Sequence, residues 1–259
     1  MLHVLGSLLR FLLDNWRDLP EMQVKTARGQ LVLSHPADTG ARLDDAALLK
    51  ALEQEIDAFW RNVPFHTLFL AYEMPIENSA HGGTCSDRAV LFHARLQERF
   101  GARLKARLHR CRIKGRDTHT VILVRLGAGD YLIDVGSNWP VMRPIPCFEP
   151  SSFSAFGIQF RAFPEGPELH VEMKRPEQQE FRLFLSADLT PQSPEQVQAA
   201  IADRYSPRHE LPFAGKLRFS CIHGDAFYAL RDDTFISGYA ERSDRWKEYR
   251  AKKLVKASP

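Results

Sequence analysis

Apolar residues recur at intervals of three and four in three stretches of the first hundred residues, a spacing typical of amphipathic helices. One stretch covers residues 1–16, a second covers residues 44–60, and a third begins at Cys85 and ends before Gly101. A glycine directly after an apolar stripe is a common helix stop. The pattern therefore predicts a helical region over residues 1–100, and Cys85 lies at the start of its last helix.

The hydrophobic period changes to two after residue 101. Leu104 to His109 alternates between apolar and basic residues, which is typical of an amphipathic strand. His119 to Leu126 is almost continuously apolar, and Tyr131 to Val135 follows after a glycine-rich turn. We predict an antiparallel sheet over residues 101–150.

Short apolar stretches also follow Pro150, and they predict further strands. These strands are Phe181 to Leu185, Leu217 to Cys221, Phe227 to Leu230 and Thr234 to Ile236. The stretch from Pro194 to Tyr205 predicts one helix. Residues 151–259 thus form a β-rich lid region with a C-terminal tail, and the order of helices before strands indicates an α+β fold.

The overall charge is close to balanced, with 35 Lys and Arg against 32 Asp and Glu. The one basic cluster, Lys247 to Lys256, is interpreted as a solvated tail, so nucleic acid is not an expected partner. No apolar run approaches the roughly 18 residues that span a bilayer, which argues against a membrane-spanning segment. The four cysteines contain no C-x-x-C pair and predict neither a metal site nor a disulfide framework. A reducing, cytoplasmic location fits this cysteine usage.

The segment Gly82-Gly83-Thr84-Cys85 leads directly into the third helix. A thiol at a helix N-terminus meets the positive end of the macrodipole, which lowers the pKa of a cysteine, and we expect Cys85 to be exposed there. The glycines would let a substrate carbonyl approach backbone amides that stabilise an oxyanion. Gly83 and Thr84 are therefore candidate substrate-binding residues.

Two polar residues stand out in the apolar strands that follow. His119 opens the most apolar strand, and Asp134 lies between Ile133 and Val135, where an unpaired carboxylate is costly. A two-residue hairpin turn would place Asp134 on the same sheet face as His119. An aspartate that orients one imidazole nitrogen leaves the other to activate a thiol, so Cys85, His119 and Asp134 are the candidate catalytic residues.

Four segments resemble the arylamine N-acetyltransferases. The family pattern has a cysteine after a Gly-Gly pair, a histidine opening an apolar strand, an aspartate in a Tyr-Leu-Val-Asp-Val-Gly-like strand, and an upstream Ile-Pro-Phe-like element. Here these segments read His81-Gly82-Gly83-Thr84-Cys85, Thr118-His119-Thr120-Val121-Ile122-Leu123-Val124, Tyr131-Leu132-Ile133-Asp134-Val135-Gly136 and Val63-Pro64-Phe65-His66-Thr67-Leu68.

The resemblance implies a three-region α+β fold with a cysteine-protease-like Cys-His-Asp core. It also implies a ping-pong N-acyltransferase that carries the acyl group on Cys85. Acetyl-CoA would be the usual donor and a small arylamine or hydrazine the acceptor, with no bound cofactor. The chain departs from the family in having Ser86 and Asp87 after the cysteine and Ser137-Asn138-Trp139 after the aspartate strand.

Other functions use the same three residue types. A cysteine hydrolase of the transglutaminase or papain kind is one alternative, and an amide synthase using an acyl carrier protein as donor is another. A non-catalytic binding module is a third. An acyltransferase must keep water from the acyl-cysteine, so it needs an apolar cleft, to which Phe65 and Trp139 are candidate contributors. Asn138 is a further candidate substrate contact, because it follows the aspartate strand.

Overall fold

The computed structural model describes residues 44–71, 82–203, 216–232, 234–239 and 242–250. The predicted helix over residues 1–16 and residue His81 lie outside these ranges. Within them no helix is both long enough and apolar enough to cross a membrane.

Two helices that the hydrophobic spacing predicts, over residues 44–60 and from Cys85 onward, are present in the described part of the first region. The structure has four α-helices in these ranges: α1 (Asp45–Asn62), α2 (Leu68–Ala71), α3 (Cys85–Phe100) and α4 (Pro194–Asp203). Helices α1 and α3 are joined by their apolar faces, since the rings of Phe59 and Phe92 lie 4.8 Å apart. They are also joined by the buried carboxylate of Glu55, which accepts a 2.7 Å hydrogen bond from Arg95 Nε.

Eight strands form one antiparallel sheet. In chain order they are β2 (Lys105–Ile113), β3 (Arg116–Leu126), β4 (Gly129–Ile133), β5 (Ile145–Pro146), β6 (Ser151–Ala155), β7 (Ile158–Glu165), β8 (Glu168–Lys174) and β9 (Arg182–Asp188). Their spatial order is β5-β4-β3-β2-β9-β8-β7-β6. The sheet therefore continues across Pro150, and it includes four strands, β5 to β8, that the sequence pattern did not predict.

The hairpin of β3 and β4 has a two-residue turn, which is the case that would place Asp134 and His119 on the same sheet face. Leu126 pairs with Gly129 and Ile122 pairs with Ile133. The next position in this register puts Asp134 opposite Val121, which confirms the arrangement expected for a turn of Gly127 and Ala128.

A second, five-stranded antiparallel sheet combines one early strand with the last four. Its strands are β1 (Phe65–His66), β10 (Arg218–His223), β11 (Ala226–Arg231), β12 (Thr234–Tyr239) and β13 (Arg242–Arg250), in that spatial order. Residues 247–250 of the predicted tail are part of the sheet, and Lys247 is exposed there. They belong to β13, where Tyr249 pairs with Phe235 of β12.

The two sheets and α1 share one core. Helix α3 packs on β2 and β3, and α1 packs on β10. The buried ring of Phe227 on β11 lies within 6.5 Å of the rings of Trp60 on α1, Trp139, and Phe156 at the β6–β7 turn. This core positions the start of α3 beside the first residues of β3 and the last residues of β4.

Candidate active site

Cys85 is the first residue of α3, as predicted. The helix start is capped by Asp87, whose Oδ2 accepts hydrogen bonds from Thr84 N at 2.8 Å and Thr84 Oγ1 at 2.9 Å. The expected exposure of Cys85 was wrong, because the residue is only 2% exposed. Its Sγ lies 3.7 Å from the carbonyl oxygen of Thr118, so the thiol faces the start of β3.

The imidazole of His119 links the thiol to a buried carboxylate. Its Nε2 lies 2.8 Å from Asp134 Oδ1, and both side chains are buried. A carboxylate only accepts hydrogen bonds, so Nε2 carries a proton and Nδ1 is the nitrogen left to face Cys85. Cys85 also acts on this imidazole, because its charge raises the pKa of His119. The structure thus brings together all three candidate catalytic residues.

The loop after β4 holds Asp134 in place. Its Oδ1 also accepts hydrogen bonds from Gly136 N at 3.0 Å and Ser137 N at 2.9 Å. The loop then passes against the start of α3, where a Cβ atom on Gly136 would lie 2.7 Å from the carbonyl oxygen of Cys85. Only glycine permits this approach, and it explains why Cys85 is covered.

The electrostatics of the site favour a charged His119. Burial by itself lowers the pKa of His119, because it disfavours the charged imidazolium. The charges of Asp134 and Cys85, together with the side-chain interactions that His119 makes with both, outweigh burial and raise this pKa to about 9. The site therefore favours the imidazolium form of His119, which is the form that arises when the proton of Cys85 moves to the ring.

The two glycines before Cys85 pack against the chain near β1. A Cβ on Gly82, whose φ is +95°, would meet the carbonyl oxygen of Pro64. Gly83 forms an isolated bridge with Phe65, donating to Pro64 O at 3.4 Å and accepting from His66 N at 2.9 Å. The backbone amides of Gly83 and Thr84 are thus already bonded within the chain, and these contacts do not support the oxyanion role expected for them.

The remaining candidate substrate contacts differ in burial. Phe65 is 3% exposed and Trp139 is 5% exposed, so both side chains are packed in the interior and neither lines an open cleft. Trp139 contacts Phe227 and lies between the guanidinium groups of Arg175 and Arg231. Asn138 is the half-buried member of the set. Its role as a substrate contact stays a prediction.

Sequence reasoning missed Arg88, which is completely buried one helical turn after Cys85. Its Nη1 donates to Ser137 O at 3.2 Å, and its guanidinium carbon lies 4.1 Å from the centre of the Trp60 ring. Burial lowers the pKa of Arg88 to about 9, although Asp134 and Cys85 act to raise it. An arginine on the apolar stripe of α3, between Cys85 and Phe92, was the available indication in the sequence.

No group of three or more His, Cys, Asp or Glu side chains that could hold a metal ion occurs among the described residues.

Comparison with known proteins identifies a family for the chain and finds solved structures with the same fold. A family model described as N-acetyltransferase matches residues 49–257, which is most of the chain. No curated protein matches the chain in sequence at a significant level.

Solved structures of bacterial arylamine N-acetyltransferases share this fold. The enzyme from Mycobacterium abscessus is 20% identical, with a TM-score of 0.65 over 82% of this chain and 81% of that one. The Mycobacterium marinum enzyme in complex with CoA is 16% identical, with a TM-score of 0.65 over 81% and 82%. The Salmonella typhimurium enzyme is 16% identical, with a TM-score of 0.64 over 79% of each chain. The family match, together with this shared fold, shows that the chain is an acyltransferase that belongs to the arylamine N-acetyltransferase family.

Proposed function

We propose that this protein transfers an acyl group from a thioester to an amine through an acyl-Cys85 intermediate. The observation that carries the proposal is the arrangement of three side chains: Oδ1 of Asp134 lies 2.8 Å from Nε2 of His119, and Sγ of Cys85 lies 3.7 Å from the carbonyl oxygen of the adjacent Thr118. It supplies a nucleophile, a base and a group that orients the base, which is the set that covalent acyl transfer requires.

In the first half-reaction, Nδ1 of His119 takes the proton from Sγ of Cys85. The thiolate adds to the thioester carbonyl carbon, and the tetrahedral intermediate collapses with cleavage of the carbon–sulfur bond to the donor. The donor leaves as a thiol after it receives the proton from the His119 imidazolium. The acyl group remains on Cys85 as a new thioester, so little free energy is lost.

In the second half-reaction, an amine adds to the carbonyl carbon of acyl-Cys85. His119 takes a proton from the attacking nitrogen and returns it to the sulfur as the bond to Cys85 breaks. The products are an amide and the free thiol. Asp134 keeps the imidazole in the required tautomer in both halves.

The burial of the site supports transfer over hydrolysis. Cys85 and His119 are each 2% exposed, and an acyl-cysteine at that depth is protected from bulk water. The C-terminal sheet reaches the residues just before Cys85, because its strand β10 pairs with β1 and β1 is bridged to Gly83. This contact supports a lid role for residues 151–259. In this division, residues 1–100 carry the nucleophile and residues 101–150 carry His119 and Asp134.

We propose acetyl-CoA as the donor and a small arylamine or hydrazine as the acceptor. The M. marinum relative is described in complex with CoA, and that relative shares the fold. An acyl carrier protein is the other donor to test, because its phosphopantetheine arm would present the same thioester.

Intact-protein mass spectrometry tests the proposal directly. The protein is exposed briefly to acetyl-CoA, to longer acyl-CoAs and to an acylated carrier protein, and then an arylamine is added. We expect a mass gain of one acyl group that is absent in Cys85→Ala, together with rapid loss of that mass and formation of the amide when the amine is added. Cys147→Ala removes another buried thiol, outside the site, and should behave like the wild type.

Two results would contradict the proposal. An adduct that water discharges at the same rate with or without amine would indicate a cysteine hydrolase. A protein that forms no adduct with any thioester, while Cys85 still reacts quickly with iodoacetamide, would also exclude acyl transfer from these donors.

A further inference from the structure

Arg88 is a buried cation with few hydrogen bonds. Its side chain makes one bond, from Nη1 to Ser137 O, and stacks on Trp60. Its Nε and Nη2 atoms are buried without a hydrogen-bond partner among the described residues. Cation–π contacts with Trp60 and Phe59 recover only part of the cost of removing a guanidinium from water. A further source of stabilisation is therefore expected near this charge.

That source is the triad itself. The backbone of Ser137 lies between Arg88 and Asp134, because its carbonyl oxygen accepts from Arg88 and its N–H donates to Asp134 at 2.9 Å. Asp134 and Cys85 both attract the charge of Arg88. The other buried or capping carboxylates of α1 and α3 are bonded elsewhere, Glu55 to Arg95 and Asp87 to Thr84.

The charges of the reacting site explain why a cation belongs there. The net charge of the triad is minus one both before and after the proton of Cys85 moves to His119, but the transfer creates a new negative charge on Cys85, one helical turn from Arg88. A charge in a buried, low-dielectric site is unfavourable unless it is paired. We propose that Arg88 is a positioning residue that stabilises the thiolate of Cys85 and thereby favours transfer of the Cys85 proton to Nδ1 of His119.

The other titratable groups around Cys85 and Arg88 do not supply this charge. Cys111 lies across the β2–β3 ladder from His119, and Cys221 lies on β10 near Arg88. Burial raises the pKa of both thiols, well above the usual value for Cys111 and to about 11 for Cys221, so both stay neutral near pH 7. Arg110 acts on Cys111, but its guanidinium is paired with Asp117 at 3.3 Å.

The test is the pH dependence of Cys85 alkylation by iodoacetamide, followed by mass spectrometry of the Cys85 peptide. Iodoacetamide reacts with the thiolate, so the acid limb of the rate profile reports ionisation of the site. In Arg88→Met we expect this limb to move to higher pH by about one unit or more. Arg88→Lys keeps the charge and should restore most of the wild-type profile.

Two further variants separate charge from structure. Arg88→Gln keeps a donor for Ser137 O but removes the charge, so it should resemble Arg88→Met. Arg95→Gln removes an arginine from the same helix together with its bond to Glu55, and it should lower stability without moving the profile. A wild-type profile in folded Arg88→Gln or Arg88→Met would overturn the proposal.

This inference rests on the triad of the proposed function, but its test uses no thioester. A protein that accepts no acyl group yet shows an Arg88-dependent alkylation profile would contradict the proposed function alone. A protein that forms the acyl-Cys85 adduct with no change in the Arg88→Gln profile would contradict only the role of Arg88.

Discussion

His119 is bonded to Asp134 through one ring nitrogen and faces Cys85 with the other, and these partners make stability depend on pH. Its pKa is raised from 6.5 to about 9 in the folded protein. A raised pKa contributes stability that is complete below the unfolded value and is lost as the pH rises through the folded value. We expect the free energy of unfolding to fall between about pH 6.5 and pH 9, as measured by urea denaturation.

Asp134→Asn is the matched variant for this prediction. It removes the charge of Asp134, one of the two charges that raise the pKa of His119, so the decrease in stability between pH 6.5 and pH 9 should become smaller. The measurement should stop near pH 9, because the pKa of Arg88 is lowered to about 9 and its deprotonation adds a change of opposite sign above that pH. An equal decrease in Asp134→Asn and the wild type would show that another group causes it.

The sequence predicted some residues of the site better than others. Cys85, His119 and Asp134 could be recognised because each violates its local pattern: a thiol after two glycines, and polar residues in apolar strands. Arg88 and Ser137 could not be assigned in the same way. Arg88 acts through its contacts with Ser137 and Trp60, which are distant in sequence, and Ser137 acts mainly through its backbone.

At the scale of the element, the start of α3 depends on one carboxylate. Asp87 accepts two hydrogen bonds from Thr84, so Asp87→Ala should cost about 1 kcal/mol of stability. It should also slow alkylation of Cys85, because the first turn of the helix places the thiol. Asp87→Asn keeps an acceptor and should have a smaller effect.

Asp44→Ala is the control for this capping prediction. Asp44 caps α1 by accepting a hydrogen bond from Ala47 N at 2.7 Å, so its loss should cost a similar free energy. Cys85 alkylation should be unchanged in that variant. Equal alkylation rates in Asp87→Ala and Asp44→Ala would show that the cap of α3 does not position the thiol.

The helices and the long apolar strands follow directly from hydrophobic spacing, whereas several other strands do not. Strand β7 alternates clearly in burial, yet it was not among the strands predicted from the sequence. Strand β1 has only two residues, which is too short for any period. Its pairing with β10 joins segments about 150 residues apart, and no local pattern specifies such a contact.

At the scale of the whole molecule, Phe227 connects the C-terminal sheet to the rest of the core. Its ring contacts Trp60, Trp139 and Phe156, which come from α1, the loop after β4 and the turn after β6. Phe227→Ala should therefore lower the free energy of unfolding by about 3–5 kcal/mol, measured by chemical denaturation. The loss should affect both sheets together, so tryptophan fluorescence and circular dichroism should report one transition.

Phe148→Ala is the control for this prediction, because Phe148 is 67% exposed. Its effect should lie within about 0.5 kcal/mol of zero. Separate transitions for the two probes in Phe227→Ala would show that the C-terminal sheet unfolds independently.

At the middle of the eight-stranded sheet, the backbone ladder between β2 and β9 consists of two residue pairs, Arg112 with Ser186 and Ile113 with Leu185. Each half, β2 to β5 and β6 to β9, is otherwise a succession of neighbours in sequence. Such local hairpins close short loops, whereas the β2–β9 contact must close a loop of more than seventy residues. We therefore expect the two halves to form early during folding, and the seam between β2 and β9 to close late. Cys111 is the residue before this seam on β2 and lies directly opposite His119 on β3, so the strand that pairs with the His119 strand keeps an open edge until the seam closes.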